Sequence, residues 1–102
     1  MYVLVRRDLT AAQQVVQACH AAIESARHFL SPHSEHPFLV VCGVRDGPAL
    51  VRCLDRLEAA GIRFRAFHEP HLDDQLTAVA TEPVCGAPRA LFRQFRLLSV
   101  NN

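Results

Sequence analysis

The stretch DLTAAQQVVQACHAAIESARHFL, residues 8–30, decides the fold, because its apolar residues repeat with the period of one helix face. Thr10 and Gln13 have the spacing of a capping box, which predicts where this helix begins. We expect the apolar row to pack on a sheet. The row, at steps of three and four, consists of Val16, Cys19, Ile23, Ala26 and Leu30.

A polar row runs along the flank of the same helix, formed by Gln14, Gln17, His20 and Glu24 at steps of three, three and four. Two interpretations remain open. In the first interpretation the row is a functional site, in which the amides position a polar substrate and His20 transfers a proton near neutral pH. In the second, the row is the solvated polar face that most helices have.

Length and composition predict one soluble domain, residues 1–102. No apolar run approaches the roughly 20 residues that cross a bilayer, so we expect a cytoplasmic protein with no membrane partner. The four cysteines lack CxxC spacing, which favours free thiols. All eleven basic residues are arginine, which excludes Schiff-base and lysine general-base chemistry. The net charge of +1 gives no global signal for nucleic acid.

The rest of the chain predicts four strands, at residues 2–6, 38–44, 62–67 and 76–81. A second helix is predicted between its cap Asp46 and its stop Gly61, and a third opens at Pro88. The order β-α-β-α-β-β-α indicates an α/β fold. We expect a three-layer α/β/α sandwich with a mixed four-stranded sheet, in which most neighbours are parallel and the last hairpin partner is antiparallel.

Arginines mark two places that could contact phosphates. Arg6 and Arg7 end the first strand, and Arg89, Arg93 and Arg96 follow at steps of four and three on the last predicted helix. That row indicates either a phosphate-backbone contact or cations placed toward a helix C-terminus. The second helix, in contrast, shows an apolar stripe and a mixed charged face, and is interpreted as structural.

Two segments resemble the second family of peptidyl-tRNA hydrolases. QACHA at residues 17–21, after the strand YVLVRRDL, is similar to that family's A-Q-x-x-H-A signature, and LTAVATEP at residues 76–83 resembles its closing strand, T-V-x-A-I-G-P. The order of elements also agrees, and the resemblance extends to about Leu98. It implies a divergent, bacterial-type member that hydrolyses the ester between a peptide or N-blocked amino acid and tRNA, in the cytosol, as a homodimer without a cofactor.

The resemblance also implies a site. The family gathers a lysine and a histidine at the start of the long helix, an aspartate before the last strand and a threonine on it. Gln13 stands at the lysine position, and the aspartate loop is shortened, so Glu69 is its nearest equivalent, with Asp73 or Asp74 as rivals. The implied catalytic residues are His20, Thr77, Glu69 and Gln17. The candidate substrate-binding residues are Gln13, Gln14, Arg6, Arg7, Arg89, Arg93 and Arg96, and no metal is implied.

Two other functions remain open. Loss of the family lysine is compatible with a non-catalytic module that uses the same fold to bind tRNA or a protein. The histidines and carboxylate of one short loop, His68, His71 and Glu69, suggest a metal-dependent hydrolase.

Overall fold

Five strands and two α-helices form the core of the computed structural model, which describes residues 1–99. The strands are β1 (Tyr2–Arg6), β2 (Val40–Val44), β3 (Phe64–Glu69), β4 (Gln75–Thr81) and β5 (Arg96–Leu97). The α-helices are α1 (Ala11–Phe29) and α2 (Gly47–Ala59), and two 3-10 segments span Pro70–Leu72 and Ala87–Gln94. Within this part of the chain, no helix combines the length and apolar character that crossing a membrane would need.

The strands make one mixed sheet in the order β3-β4-β1-β2-β5. Only β1 and β2 pair in parallel, and the other three neighbouring pairs are antiparallel. The α/β class and the mixed sheet are therefore confirmed, whereas the predicted four strands and mostly parallel neighbours were wrong. The antiparallel hairpin of β3 and β4, joined by a short 3-10 turn, is as predicted. Because that turn reverses the chain and β4 rather than β3 lies next to β1, the β1–β4 pair is antiparallel as well.

The third predicted α-helix is replaced by the 3-10 helix at Ala87–Gln94, followed at once by β5. Phe92 stacks on Tyr2 with ring centroids 3.8 Å apart, which anchors this segment on the sheet. Arg96 and Leu97 then pair with β2, opposite Gly43 and Cys42. The predicted helix therefore ends early, because Arg96 and Leu97 pair with the open edge of β2 instead. A strand of two residues has no periodicity from which the sequence could predict it.

The sheet is covered on both faces, as strand alternation requires. On one face Val3 and Val5 pack with Ala18 and Ala21 of α1. The other face forms the larger cluster, in which residues of β1 and β2 meet α2 and Phe92; its members include Leu4, Cys42, Val44, Leu50 and Leu57. The sandwich differs from the predicted one in its fifth strand and in its last helix.

Helix α1 faces the sheet with the side opposite to the predicted one. Its buried residues are Gln14, Gln17, Ala18, Ala21 and Ser25. Val15, Val16 and Ile23 are instead 48%, 49% and 55% exposed. Small side chains allow the helix to lie close to the alanine-rich strand β4. The two buried amides find hydrogen-bond partners on β3 and β4, for Gln17, and in the preceding loop, for Gln14.

The predicted starts of α1 and α2 and the predicted end of α2 are confirmed. Thr10 and Gln13 form both hydrogen bonds of the capping box, and the Asp46 side chain accepts from the Ala49 amide at the start of α2. Gly61 has a φ of 71°, and the backbone bonds around it close a Schellman motif. All four cysteines are free.

Candidate functional site

Three of the predicted catalytic residues form one buried hydrogen-bonded chain. The Gln17 amide nitrogen donates to Glu69 Oε1 at 2.8 Å, and the Thr77 hydroxyl donates to Gln17 Oε1 at 2.5 Å. These residues come from α1, β3 and β4, separated by 52 and 60 positions from Gln17 along the chain. The amide therefore connects the acid to the hydroxyl and uses both of its polar atoms to do so.

An irregularity in the β3–β4 ladder sets this geometry. Phe67 pairs with Ala78 and His68 pairs with Leu76, so the register skips Thr77. A skipped residue of this kind is a β-bulge, which bends a strand and redirects a side chain. The bulge leaves the Thr77 hydroxyl 3.5 Å from the Phe67 carbonyl oxygen and directed at Gln17.

His20 lies beside the chain, one turn of α1 after Gln17. Its ring is half-buried and stacks on Phe67, with centroids 4.6 Å apart and an interplanar angle of 13°. Glu69 lies near this ring: the pKa of its carboxyl is lowered chiefly by the hydrogen bond from Gln17 and, as the smallest contribution, by the protonated form of His20. The structure thus brings all four predicted catalytic residues together, and Phe67, which the sequence did not single out, fixes the imidazole plane.

The Glu69 carboxyl has a pKa below its ordinary value of 4.5, chiefly because the Gln17 amide donates to it. The backbone amide of His71 donates to the second oxygen, Oε2, at 3.3 Å. Glu69 is therefore ionised at neutral pH and held at both oxygens. Its rivals Asp73 and Asp74 are exposed in the following turn, with φ values of 53° and 57°.

Burial separates the four residues into two pairs. Thr77 is fully buried and Gln17 is 3% exposed, so their polar atoms serve each other and Glu69. Glu69 is 8% exposed and His20 more so. The polar atoms of Gln17 and Thr77 are therefore enclosed and already paired, whereas the exposed parts of Glu69 and His20 are the ones that a bound molecule can contact.

The other predicted glutamines hold the start of α1. Gln13 closes the capping box through its side-chain oxygen. The Gln14 amide donates to the carbonyl oxygens of Arg7 at 3.2 Å and Leu9 at 2.8 Å, fixing the loop between β1 and α1. Gln14 Oε1 is buried and accepts no hydrogen bond within residues 1–99.

The predicted phosphate-binding arginines do not form one group. Arg6 binds both oxygens of Asp8 and also donates to the Gln75 side chain and the Leu76 carbonyl, which ties β1 to β4. Arg89 and Arg93 line a cavity of about 330 Å³ beside Tyr2, whereas Arg7 and Arg96 line a different cavity of about 600 Å³. The predicted row is split because residues 87–94 and 96–97 belong to different elements.

The larger cavity is also lined by three arginines that were not predicted as site residues: Arg45, Arg52 and Arg56. The spacing of Arg52 and Arg56, one helical turn apart, is the signal that could have identified them. In contrast, no group of three or more His, Cys, Asp or Glu side chains within residues 1–99 is arranged to hold a metal ion. The loop containing His68, His71 and Glu69 therefore offers no such group.

A scan against protein-family models gives no match to this chain, and no curated protein matches it significantly.

Proposed function

We propose that this protein hydrolyses the ester bond between a peptide, or an N-blocked amino acid, and tRNA in the cytosol. One observation carries the proposal. The residues that the sequence resemblance implies, Gln17, His20, Glu69 and Thr77, come from three separate elements and meet in one cluster. An arrangement of an ionised acid, an imidazole and a fixed amide at the end of a strand suits proton transfer during ester cleavage.

In the proposed reaction, Glu69 or His20 takes a proton from water, whose oxygen bonds to the ester carbonyl carbon. The bond between that carbon and the tRNA ribose oxygen then breaks, and the ribose oxygen receives the proton. The products are a free peptide and free tRNA. Gln17 and Thr77 contribute by keeping the carboxylate of Glu69 in one orientation, which preserves its alignment with the reacting water.

A second candidate is a non-catalytic module that binds tRNA or a protein. Two observations favour it. The position of the family lysine is occupied by Gln13, whose side chain closes a capping box. The Thr77 hydroxyl and Gln17 amide, which could have stabilised an oxyanion, are buried and already paired. Removal of one oxyanion donor commonly costs about 10²–10³ in rate, so a low rate is expected even if the chain is an enzyme.

Incubation of the purified protein with N-acetyl-aminoacyl-tRNA separates the two functions. We expect release of free tRNA that is unaffected by chelator and lost in Glu69→Gln and His20→Ala. His28→Ala is the matched control, because His28 is an exposed histidine of the same helix whose polar contacts, within residues 1–99, are to Glu24 one turn earlier: its backbone carbonyl at 2.9 Å and its carboxylate at 3.9 Å. Binding of tRNA without release would contradict the hydrolase and favour the module. Release at equal rates in all three variants would contradict the roles proposed for Glu69 and His20.

We also propose that two copies associate, as the resemblance implies, through the outer face of α1. This face presents Val16, Cys19 and Ile23 at the three-four spacing typical of helix seams. A second copy offers an identical row, which a two-fold axis would place against the first.

A further inference from the structure

The cavity of about 600 Å³ lies between the carboxyl end of β2, helix α2 and residues 94–96. Every charged residue that lines it, among residues 1–99, is an arginine: Arg7, Arg45, Arg52, Arg56 and Arg96. None of these five forms an ion pair in the part of the chain that the structure describes. The cavity therefore concentrates positive charge that the chain's own carboxylates do not neutralise.

Three elements of the fold bring these arginines together. Arg52 and Arg56 lie one turn apart on α2, Arg45 directly follows β2, and Arg96 belongs to the adjacent strand β5. Arg56 Nη1 donates to Gln94 Oε1 at 2.5 Å, which links α2 to the 3-10 helix on the other wall of the cavity. The charged lining is thus built by tertiary contacts between distant segments.

Gly43 allows Arg7 to reach the cavity. A Cβ atom at position 43 would lie 2.6 Å from Arg7 Cδ and 2.7 Å from Arg7 Cγ, closer than non-bonded carbons approach. The aliphatic part of Arg7 therefore crosses strand β2 through the space that the missing side chain leaves. This close approach is a second feature, independent of charge, that shapes the same cavity.

The lining indicates the chemistry of the ligand. Guanidinium groups pair with phosphate oxygens through two parallel hydrogen bonds, and five cations around one cavity favour a group with several negative charges. Apolar side chains of Val44, Ala49 and Phe95 complete the wall. The volume falls in the range of about 300–1,000 Å³ that small-molecule sites occupy.

We propose that this cavity binds a nucleoside phosphate, with its phosphates among the five arginines and its base against the wall that contains Phe95. A free nucleotide and the terminal nucleotide of an RNA chain share this chemistry. The inference is independent of ester hydrolysis, because none of the predicted catalytic residues lines the cavity.

Titration calorimetry at low salt with ADP, adenosine, inorganic pyrophosphate and a short single-stranded RNA tests the proposal. We expect ADP to bind more tightly than adenosine or pyrophosphate. The double variant R52Q/R56Q should weaken ADP binding roughly tenfold or more, which is about 1.4 kcal/mol or more, because it removes two guanidinium groups that can pair with phosphate oxygens. R65Q is the matched control, since Arg65 is an exposed arginine outside the cavity.

Gly43→Ala is the complementary variant, because it displaces Arg7 without removing a charge. We expect weaker ADP binding in this variant, with circular dichroism showing a retained fold. Binding of RNA but not ADP, lost in R52Q/R56Q, would support the site with a polymer end as its ligand. Failure of all probes to bind, equal weakening in R65Q, or adenosine or pyrophosphate binding as tightly as ADP would overturn the proposal.

Discussion

The side-chain amide of Gln17 donates to Glu69 Oε1 at 2.8 Å, inside a helix–sheet interface that most proteins fill with apolar side chains. The two residues are 3% and 8% exposed, and 52 positions separate them. Because the Thr77 hydroxyl donates to Gln17 Oε1 while Gln17 Nε2 donates to Glu69, only one orientation of the amide satisfies both hydrogen bonds. The pair fastens α1 to the end of β3 and determines how the carboxylate is presented.

The lowered pKa of Glu69 predicts a loss of stability in acid. A carboxylate with a depressed folded-state pKa stabilises the protein above the unfolded value of 4.5, and this contribution is lost as pH falls through the folded value. Glu69→Gln retains the acceptor for Gln17 but does not titrate. We expect the difference in unfolding free energy between wild type and variant, measured by urea denaturation, to be constant from neutral pH to near 4.5 and to shrink below it. A difference that stays constant in stronger acid would contradict the assigned pKa direction.

The hydroxyl of Thr77 should matter for both stability and rate. Thr77→Val preserves shape but leaves the buried Gln17 Oε1 without a donor, and we expect a loss of about 1–3 kcal/mol in unfolding free energy. Thr77→Ser retains the hydroxyl and serves as the control. If Thr77 acts by positioning, Thr77→Val should lower kcat with little change in KM, since Thr77 is fully buried away from substrate. A selective rise in KM would point to direct substrate contact.

Gln13→Lys restores the ammonium group that the resembled family carries. We expect faster release of tRNA from N-acetyl-aminoacyl-tRNA, because a positive charge near the reacting carbonyl stabilises the developing oxyanion. The same change removes the hydrogen bond from the Thr10 backbone N–H to the Gln13 side chain and should lower the unfolding free energy by about 1 kcal/mol. Gln13→Met, which removes the same hydrogen bond without adding charge, separates the two effects. Equal rates in both variants would show that position 13 does not act on the reaction.

The outer face of α1 predicts the oligomeric state. If two copies associate there, Val16→Gln with Ile23→Gln should convert a dimer to a monomer, as measured by light scattering. Arg65→Gln, on the exposed side of β3, is a surface change that should leave the mass unchanged. A monomeric wild type, or a dimer that survives the double substitution, would contradict the proposed interface.

The local features of this protein could be predicted because neighbouring residues carry them. Thr10 and Gln13 cap α1 from within one turn, and Asp46 and Gly61 mark the start and end of α2. A cap of this kind depends only on the chemistry and spacing of residues close together in the sequence. Strand β1 follows in the same way from a β-branched and aromatic run, and β3 from an alternating pattern, although β3 begins and ends two residues later than the predicted 62–67. The resemblance indicated Gln17, His20 and Thr77 together, and the fold places them as neighbours.

Which face of α1 meets the sheet was decided only by tertiary structure. The apolar row of Val16, Cys19 and Ile23 predicted burial, yet the helix buries Gln17 because Glu69 and Thr77 satisfy its amide at a distance the sequence does not encode. Strand β5 and the arginine-lined cavity likewise depend on a long-range pairing with β2. Sequence periodicity indicates which side chains favour burial, but it does not indicate which distant residues can form hydrogen bonds with a polar group once that group is buried.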